Sequence, residues 1–136
     1  MKNKTREDYL RAIFLIYETQ TRNLAGVKSV DIAKSLAVSK PSVSSMVSKL
    51  SKEGLVRAHP YGLVFLTKKG ISEAKKITKK HRVIEVFLTD ILGYAINEAE
   101  DEAHRLEHAF SDESIKRLSK FLNNPRRCPH GNRIYS

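Results

Sequence analysis

The chain has 136 residues, 40% of them hydrophobic, with one cysteine and a formal net charge of +10, enough for one small domain or two tightly packed subdomains sharing a core. The charge is unevenly spread: residues 1–80 hold 17 Lys/Arg against 6 Asp/Glu, whereas residues 81–136 hold 8 against 9, so only the first half reads as a polyanion-binding surface. A lone Cys128 excludes an internal disulfide framework, and no apolar run approaches the roughly 20 residues that span a bilayer, so a soluble, cytoplasmic chain with no membrane partner is expected.

Thr5 is the expected N-cap of a first helix, with Glu7 and Asp8 in its first turn and Leu10, Ile13, Phe14 and Tyr17 as its apolar face. After Gly26, Ser29 is expected to cap a short helix through Val30, Ile32, Ala33 and Leu36, followed by the turn Ala37-Val38-Ser39. Pro41 suits the first turn of the next helix, which runs through Val43, Met46, Val47 and Leu50 to a stop at Gly54. Leu55-Val56-Arg57 and Leu63-Val64-Phe65-Leu66 flank His59-Pro60-Tyr61-Gly62 and read as a hairpin. Helix, short helix, tight turn, helix and hairpin is the order of a winged helix-turn-helix, here assigned to residues 1–70.

Thr67 opens a long helix, with Ile71, Ala74, Ile77, His81, Ile84, Phe87, Leu88 and Ile91 at helical spacing and Gly93 closing it. A second helix is expected from about Asn97 to Phe110. A third begins at Ser111-Asp112-Glu113 and runs through Ile115, Leu118, Phe121 and Leu122 to Asn124-Pro125, after which the tail reads as irregular. Residues 71–136 are thus a helical domain, and the whole chain is mainly α.

In a helix-turn-helix the second helix enters the major groove by its N-terminal residues. Those are Ser39, Lys40, Pro41, Ser42, Ser44 and Ser45, small and polar, with no bidentate Arg, Asn or Gln among them. Direct base reading is therefore modest and affinity comes largely from phosphates, with Lys28, Lys40, Lys49 and Arg57 as phosphate partners and Tyr61 at the hairpin tip against the backbone. Lys68, Lys69, Lys75 and Lys76 read as solvated surface, and Ser39 is also an ordinary N-cap.

The segment from Glu100 to His108 carries a different chemistry. On a helix of about 3.6 residues per turn, Glu100, His104, Glu107 and His108 share one face, beside an apolar stripe of Ala99, Ala103, Leu106 and Phe110. His81 and Glu85 repeat the pairing four residues apart on the preceding helix, and Asp8 adds a carboxylate on the opening one. A single helical histidine is usually a surface or core residue, but stacked imidazoles and carboxylates in this number are donors for a divalent transition metal ion.

Glu7-Asp8-Tyr9-Leu10-Arg11-Ala12-Ile13, Ser39-Lys40-Pro41-Ser42-Val43, His104-Arg105-Leu106-Glu107-His108-Ala109-Phe110-Ser111 and Cys128-Pro129-His130-Gly131-Asn132 together resemble the DtxR/MntR family of diphtheria-toxin-repressor-like iron regulators and manganese transport regulators. The resemblance covers nearly the whole chain. It implies a winged-helix domain followed by a dimerisation domain, working as a homodimer that binds operator DNA and represses metal-uptake genes when Mn²⁺ or Fe²⁺ is bound, with Zn²⁺ or Co²⁺ as substitutes in vitro. It also implies a primary site of Asp8, His104, Glu107 and His108 and an ancillary site drawing on His81, Glu85 and Glu100, with Cys128 and His130 as further ligands. The SH3-like third domain of longer members is expected to be absent. Two positions depart from the pattern. His104 stands where iron-type members have cysteine and manganese-type members glutamate. Arg11 stands where manganese members add a carboxylate; pointing inward it would exclude a two-metal arrangement, and pointing outward it would face solvent or phosphate.

Two other readings compete. His104-x-x-Glu107-His108 is also the HxxEH pattern of inverted zinc peptidases, where the glutamate is a general base. That enzyme reading explains one helix and leaves the winged-helix order and the charge split unexplained. A MarR-like winged-helix regulator without metal control explains those two but not the histidines.

Overall fold

The computed structural model describes residues 4–19 and 26–135 and divides them into two compact units that meet at Lys75 and Lys76. In the first, α1 (Arg6–Thr19), β1 (Val27–Lys28), α2 (Ser29–Leu36), α3 (Lys40–Lys52), β2 (Val56–His59) and β3 (Leu63–Leu66) precede α4 (Lys68–Asp90), which continues into the second unit. The second unit adds α5 (Ile96–Glu107) and α6 (Asp112–Phe121). The link from Thr19 to Gly26 lies largely outside the described residues.

The opening turn of α1 is a reciprocal cap. Asp8 N–H donates to Thr5 Oγ1 (3.2 Å) while Thr5 N–H donates to Asp8 Oδ2 (2.8 Å), which closes two of the helix's orphan donors and holds the Asp8 carboxylate in place. Leu10, Ile13 and Phe14 of α1 are buried, as are Ile32, Val43, Leu50, Leu55 and Val64 of the same unit, and each such side chain contributes roughly 1.5–3 kcal/mol. Arg6 ties α1 to the rest of its unit through Glu53 (2.9 Å) and Glu73 (3.0 Å); burial alone would lower its pKa, but the two carboxylates outweigh it and the net shift is upward.

The sheet has three strands in the order β1-β3-β2, all antiparallel. β1 was not expected, because two residues are too few to show alternation. Its presence corrects the start of α2. Lys28, held extended by pairing with Leu63, is the N-cap and offers no side-chain bond, while Ser29 is the first helical residue rather than the cap. Ala37 in the left-handed region ends α2, and α3 starts as expected with Ser39 as its cap, accepting from Ser42 N–H at 3.2 Å. Thr67 caps α4 by accepting from Gly70 N–H (3.0 Å) and itself donates to Gly54 O (2.6 Å). Gly70 lies so close to the Leu55 carbonyl that a Cβ there would overlap it.

The second unit has two adjoining clusters. Ile84, Leu88, Ala99, Ala103 and Ile115 form one, with Phe87, Leu106, Phe110 and Leu118 packed against it; Val83, Val86, Cys128 and Ile134 form the other. Four expectations change here. Ile91 lies past the end of α4 and is half exposed, as are Leu92 and Ile96. α5 stops at Glu107, with His108 as its C-cap, rather than reaching Phe110. Phe121, expected on the apolar face of α6, points outward and is 67% exposed. The tail is not irregular: Arg127 and Arg133 form an antiparallel bridge, Cys128 N–H donates to Asn132 O (2.9 Å) and Ile134 N–H to Arg126 O (2.8 Å), which seats Cys128 and Ile134 in the core. Among the described residues no helix is long and apolar enough to cross a membrane.

Candidate metal centre and nucleic-acid interface

The first unit presents the expected duplex-facing residues. Ser39, Lys40, Pro41, Ser42, Ser44, Ser45 and Lys49 are all exposed on or before α3, as are Lys28 and Arg57 on the outer strands. Ser39 and Ser42 also bond each other (Oγ···Oγ 2.9 Å), so their hydroxyls serve the helix start, whereas Ser44 and Ser45 project from it. Strand register gathers a surface that sequence reading missed. Lys28 faces Leu63, Leu63 faces His59, and Phe65 faces Arg57, which puts these five on the sheet face opposite Val27, Val56 and Val64. His59 stacks edge-on against Phe65 (4.7 Å). At the hairpin tip Tyr61 is fully exposed at φ +66°, a conformation uncommon for an aromatic residue and associated with functional positions.

The second unit buries some of its ionisable groups and leaves His104, His108, His130 and Glu100 partly or largely open to water. His81, Glu85 and Glu107 are 1%, 2% and 4% exposed, and each faces another donor. His81 Nε2 lies 3.5 Å from Glu85 Oε1 and 3.4 Å from Glu100 Oε2; its Nδ1 lies 3.3 Å from Glu107 Oε2. His104 Nδ1 reaches Glu107 Oε1 at 3.0 Å, and the rings of His104 and His108 stand edge-to-face at 5.6 Å. His130 Nδ1 lies 3.1 Å from Glu85 Oε2. One donor atom from each of His104, Glu107 and His108 falls within 4.8 Å of the others; the same holds for His81, Glu85 and Glu100, and for Glu85, Cys128 and His130.

These donors fit a divalent transition metal. Glu107 Oε2 is shielded from water and has no hydrogen bond among the described residues, a costly state for a carboxylate oxygen that a cation would relieve. Imidazole, carboxylate and thiol are the ligand types such ions take, and the shared Glu85 draws the tail loop and α4 into one cluster. Three segments supply these donors because α4 repeats His81 and Glu85 one turn apart, α5 repeats His104 and Glu107, and the bridged tail turns Cys128 inward. Asp8 belongs to the first unit, where it completes the α1 cap. Arg11 is half-buried, its Nε shielded from water.

Comparison with known proteins decides the family. The iron dependent repressor metal binding and dimerisation domain matches residues 67–136, and the N-terminal DNA binding domain of the same repressors matches residues 1–64. The chain belongs to the iron dependent repressor family. A helix-turn-helix-type transcriptional regulator of Methanocaldococcus jannaschii is 42% identical over 116 residues, 85% of this chain and 90% of that one. The diphtheria toxin repressor of Corynebacterium glutamicum is 39% identical over 96% of this chain, which spans 55% of that repressor's length. A manganese-dependent transcriptional repressor solved in complex with manganese superposes with a TM-score of 0.88 at 36% identity, covering 97% of this chain and 59% of that one. Its family is one of DNA-binding regulators that use a divalent metal ion and dimerise, not of enzymes, so neither the peptidase reading nor regulation without metal is favoured.

Proposed function

We propose that this protein is a cytoplasmic, metal-dependent repressor of metal-uptake genes, binding operator DNA as a homodimer when Mn²⁺ or Fe²⁺ is bound. The observation that carries the reading is the meeting of His104, Glu107 and His108 at a buried carboxylate, whose Oε1 lies 3.0 Å from His104 Nδ1 and whose Oε2 has no hydrogen bond among the described residues. Asp8 is the proposed fourth ligand of this primary site. The reading draws support from the family's pattern at Glu7-Asp8-Tyr9 and from the cap that fixes the Asp8 carboxylate. His81, Glu85, Glu100, Cys128 and His130 are the proposed ancillary ligands.

Asp8, His104, Glu107 and His108 would hold a divalent cation at the primary site, whose positive charge would offset Asp8 and Glu107 and so tie the DNA-binding unit to the helical one. In a dimer that tie sets the separation of the two α3 helices, which must match about one turn of duplex, roughly 34–36 Å. Metal and DNA then favour one state, with a coupling of order 1–3 kcal/mol. Lys28, Lys40, Lys49 and Arg57 hold phosphates, while Ser44, Ser45 and Pro41 approach base edges and Tyr61 touches the backbone. For the dimer face we propose Ile91, Leu92, Tyr94 and Ile96, large apolar residues exposed from the end of α4 to the first residue of α5, in the unit whose family is named for dimerisation. Two imidazoles and two carboxylates at the primary site suit Fe²⁺ and Mn²⁺ alike.

The test is a selection of duplexes from a random pool with Mn²⁺ present, followed by anaerobic anisotropy titrations with Mn²⁺, Fe²⁺ and Zn²⁺. Duplex affinity rises at least about tenfold on adding the activating ion, and the gain is lost in Asp8→Asn. Equal affinity in EDTA and in saturating Mn²⁺ would sink the proposal.

A further inference from the structure

The near-neutral balance of residues 81–136 conceals a second segregation. Residues 81–113 hold Arg82 and Arg105 against nine acids, whereas residues 114–136 hold Lys116, Arg117, Lys120, Arg126, Arg127 and Arg133 and no Asp or Glu at all. All six cations are exposed. On α6, whose first turn carries Asp112 and Glu113, Ile115 and Ser119 are buried, and beyond that turn Lys116 with Lys120, and Arg117 with Phe121, form two outward rows spaced one turn apart. Among the described residues only Arg117 of the six has a carboxylate partner, Glu113 at 2.9 Å, and that pair is exposed and weak.

The loop after α6 adds an observation of its own. Its antiparallel bridge sets Arg127 directly opposite Arg133, so two guanidinium side chains leave the same face from neighbouring backbones. Like charges so placed repel, and the arrangement gains stability when an anion lies between them. Arg127 Nη1 donates to Gly131 O (2.8 Å), and the Arg133 guanidinium sits over the Tyr135 ring (5.3 Å), which holds the bridge in shape. Four of the six cations are arginines, whose planar forks fit phosphate.

We propose that α6 and the loop following it form a second phosphate-binding surface, which takes the backbone of duplex DNA outside the stretch held by α3. The competing occupant is the acidic outer face of α5 from another copy, Glu98, Asp101 and Glu102. Six cations spread over α6 and the loop outnumber the three carboxylates of that face, of which Glu102 is already paired with Arg105 (2.8 Å), so charge complementarity favours the DNA backbone. The inference rests on the proposed function only in taking duplex DNA as the partner.

The test uses the full chain with Mn²⁺ and a long random-sequence duplex, followed by anisotropy over a range of salt. Lys116→Gln, Lys120→Gln and Arg126→Gln are combined, since among the described residues none of these side chains makes a bond within the protein. The slope of log K against log[salt] falls by about 0.9 for each phosphate no longer neutralised, so by roughly two to three in the triple variant, with Mn²⁺ affinity unchanged. A parallel Lys40→Gln, Lys49→Gln variant probes α3. If the α3 variant keeps its slope and the triple variant does not, the reading of α3 fails and this surface stands. If the triple variant keeps the wild-type slope, the surface does not touch DNA. The same holds if its only change is a smaller assembly by light scattering, which points to the acidic α5 face instead. Absence of duplex binding by the wild type overturns both.

Discussion

The two units bury different things. Among the described residues, every buried polar or charged side chain (Thr78, His81, Arg82, Glu85, Glu107 and Ser119) belongs to the second unit, while the core of the first is apolar throughout. The first unit therefore folds on area removed from water and closed helix ends, and it keeps its charge outside for a polyanion. The second holds ionisable groups out of water, where they oppose folding unless paired, and so keeps donors in readiness for a cation. A regulator of this kind divides its labour between a reader with an apolar core and a sensor with charged groups in its core.

Substitutions in each unit test that division. The largest effect is expected from Gly70→Ala, whose added methyl meets the Leu55 carbonyl; urea denaturation should show the first unit losing about 3 kcal/mol, equally with Mn²⁺ and with EDTA. Glu107→Gln should act in the opposite sense on the second unit. Removing a buried charge raises its metal-free stability by about 1 kcal/mol, while calorimetric Mn²⁺ affinity at the primary site falls about a hundredfold. A metal-free variant less stable than the wild type would show that Glu107 is structural. Cys128→Ser should weaken Co²⁺ and Zn²⁺ binding about tenfold and Mn²⁺ binding less, with loss of the cobalt–thiolate absorption band, because a hydroxyl is a poor ligand for softer ions. The smallest change is Tyr61→Gly. Glycine accepts φ +66° freely, so stability should rise by about 0.5–1 kcal/mol, yet duplex affinity should fall about threefold, the effect of removing a single hydrogen bond to the DNA backbone.

Much of this was legible from residue order. Strong periodicity marked each helix, and punctuation by Ser39, Pro41, Gly54 and Gly93 placed their ends to within a few residues. What escaped was decided by partners distant in sequence. Two residues of β1 carry no period, and only pairing with β3 makes Val27–Lys28 a strand and moves the α2 cap from Ser29 to Lys28. Phe121 has the spacing of a core residue, but Ile115 and Ser119 take the inner face. The tail has too many Pro, Gly and Asn residues to suggest order, and its bridge depends on Arg127 meeting Arg133.

Residue order alone determined which chemistry this protein carries: histidines and carboxylates at helical spacing, cations over the first 80 residues, and a mainly helical plan. Tertiary structure alone decided which of those donors meet, His81 with Glu107 and His130 with Glu85, which of them are withdrawn from water, and which cations stand together on one surface. The reason is physical. Periodicity reports a side chain's direction around its own helix, whereas burial and charge pairing depend on what another segment brings against it.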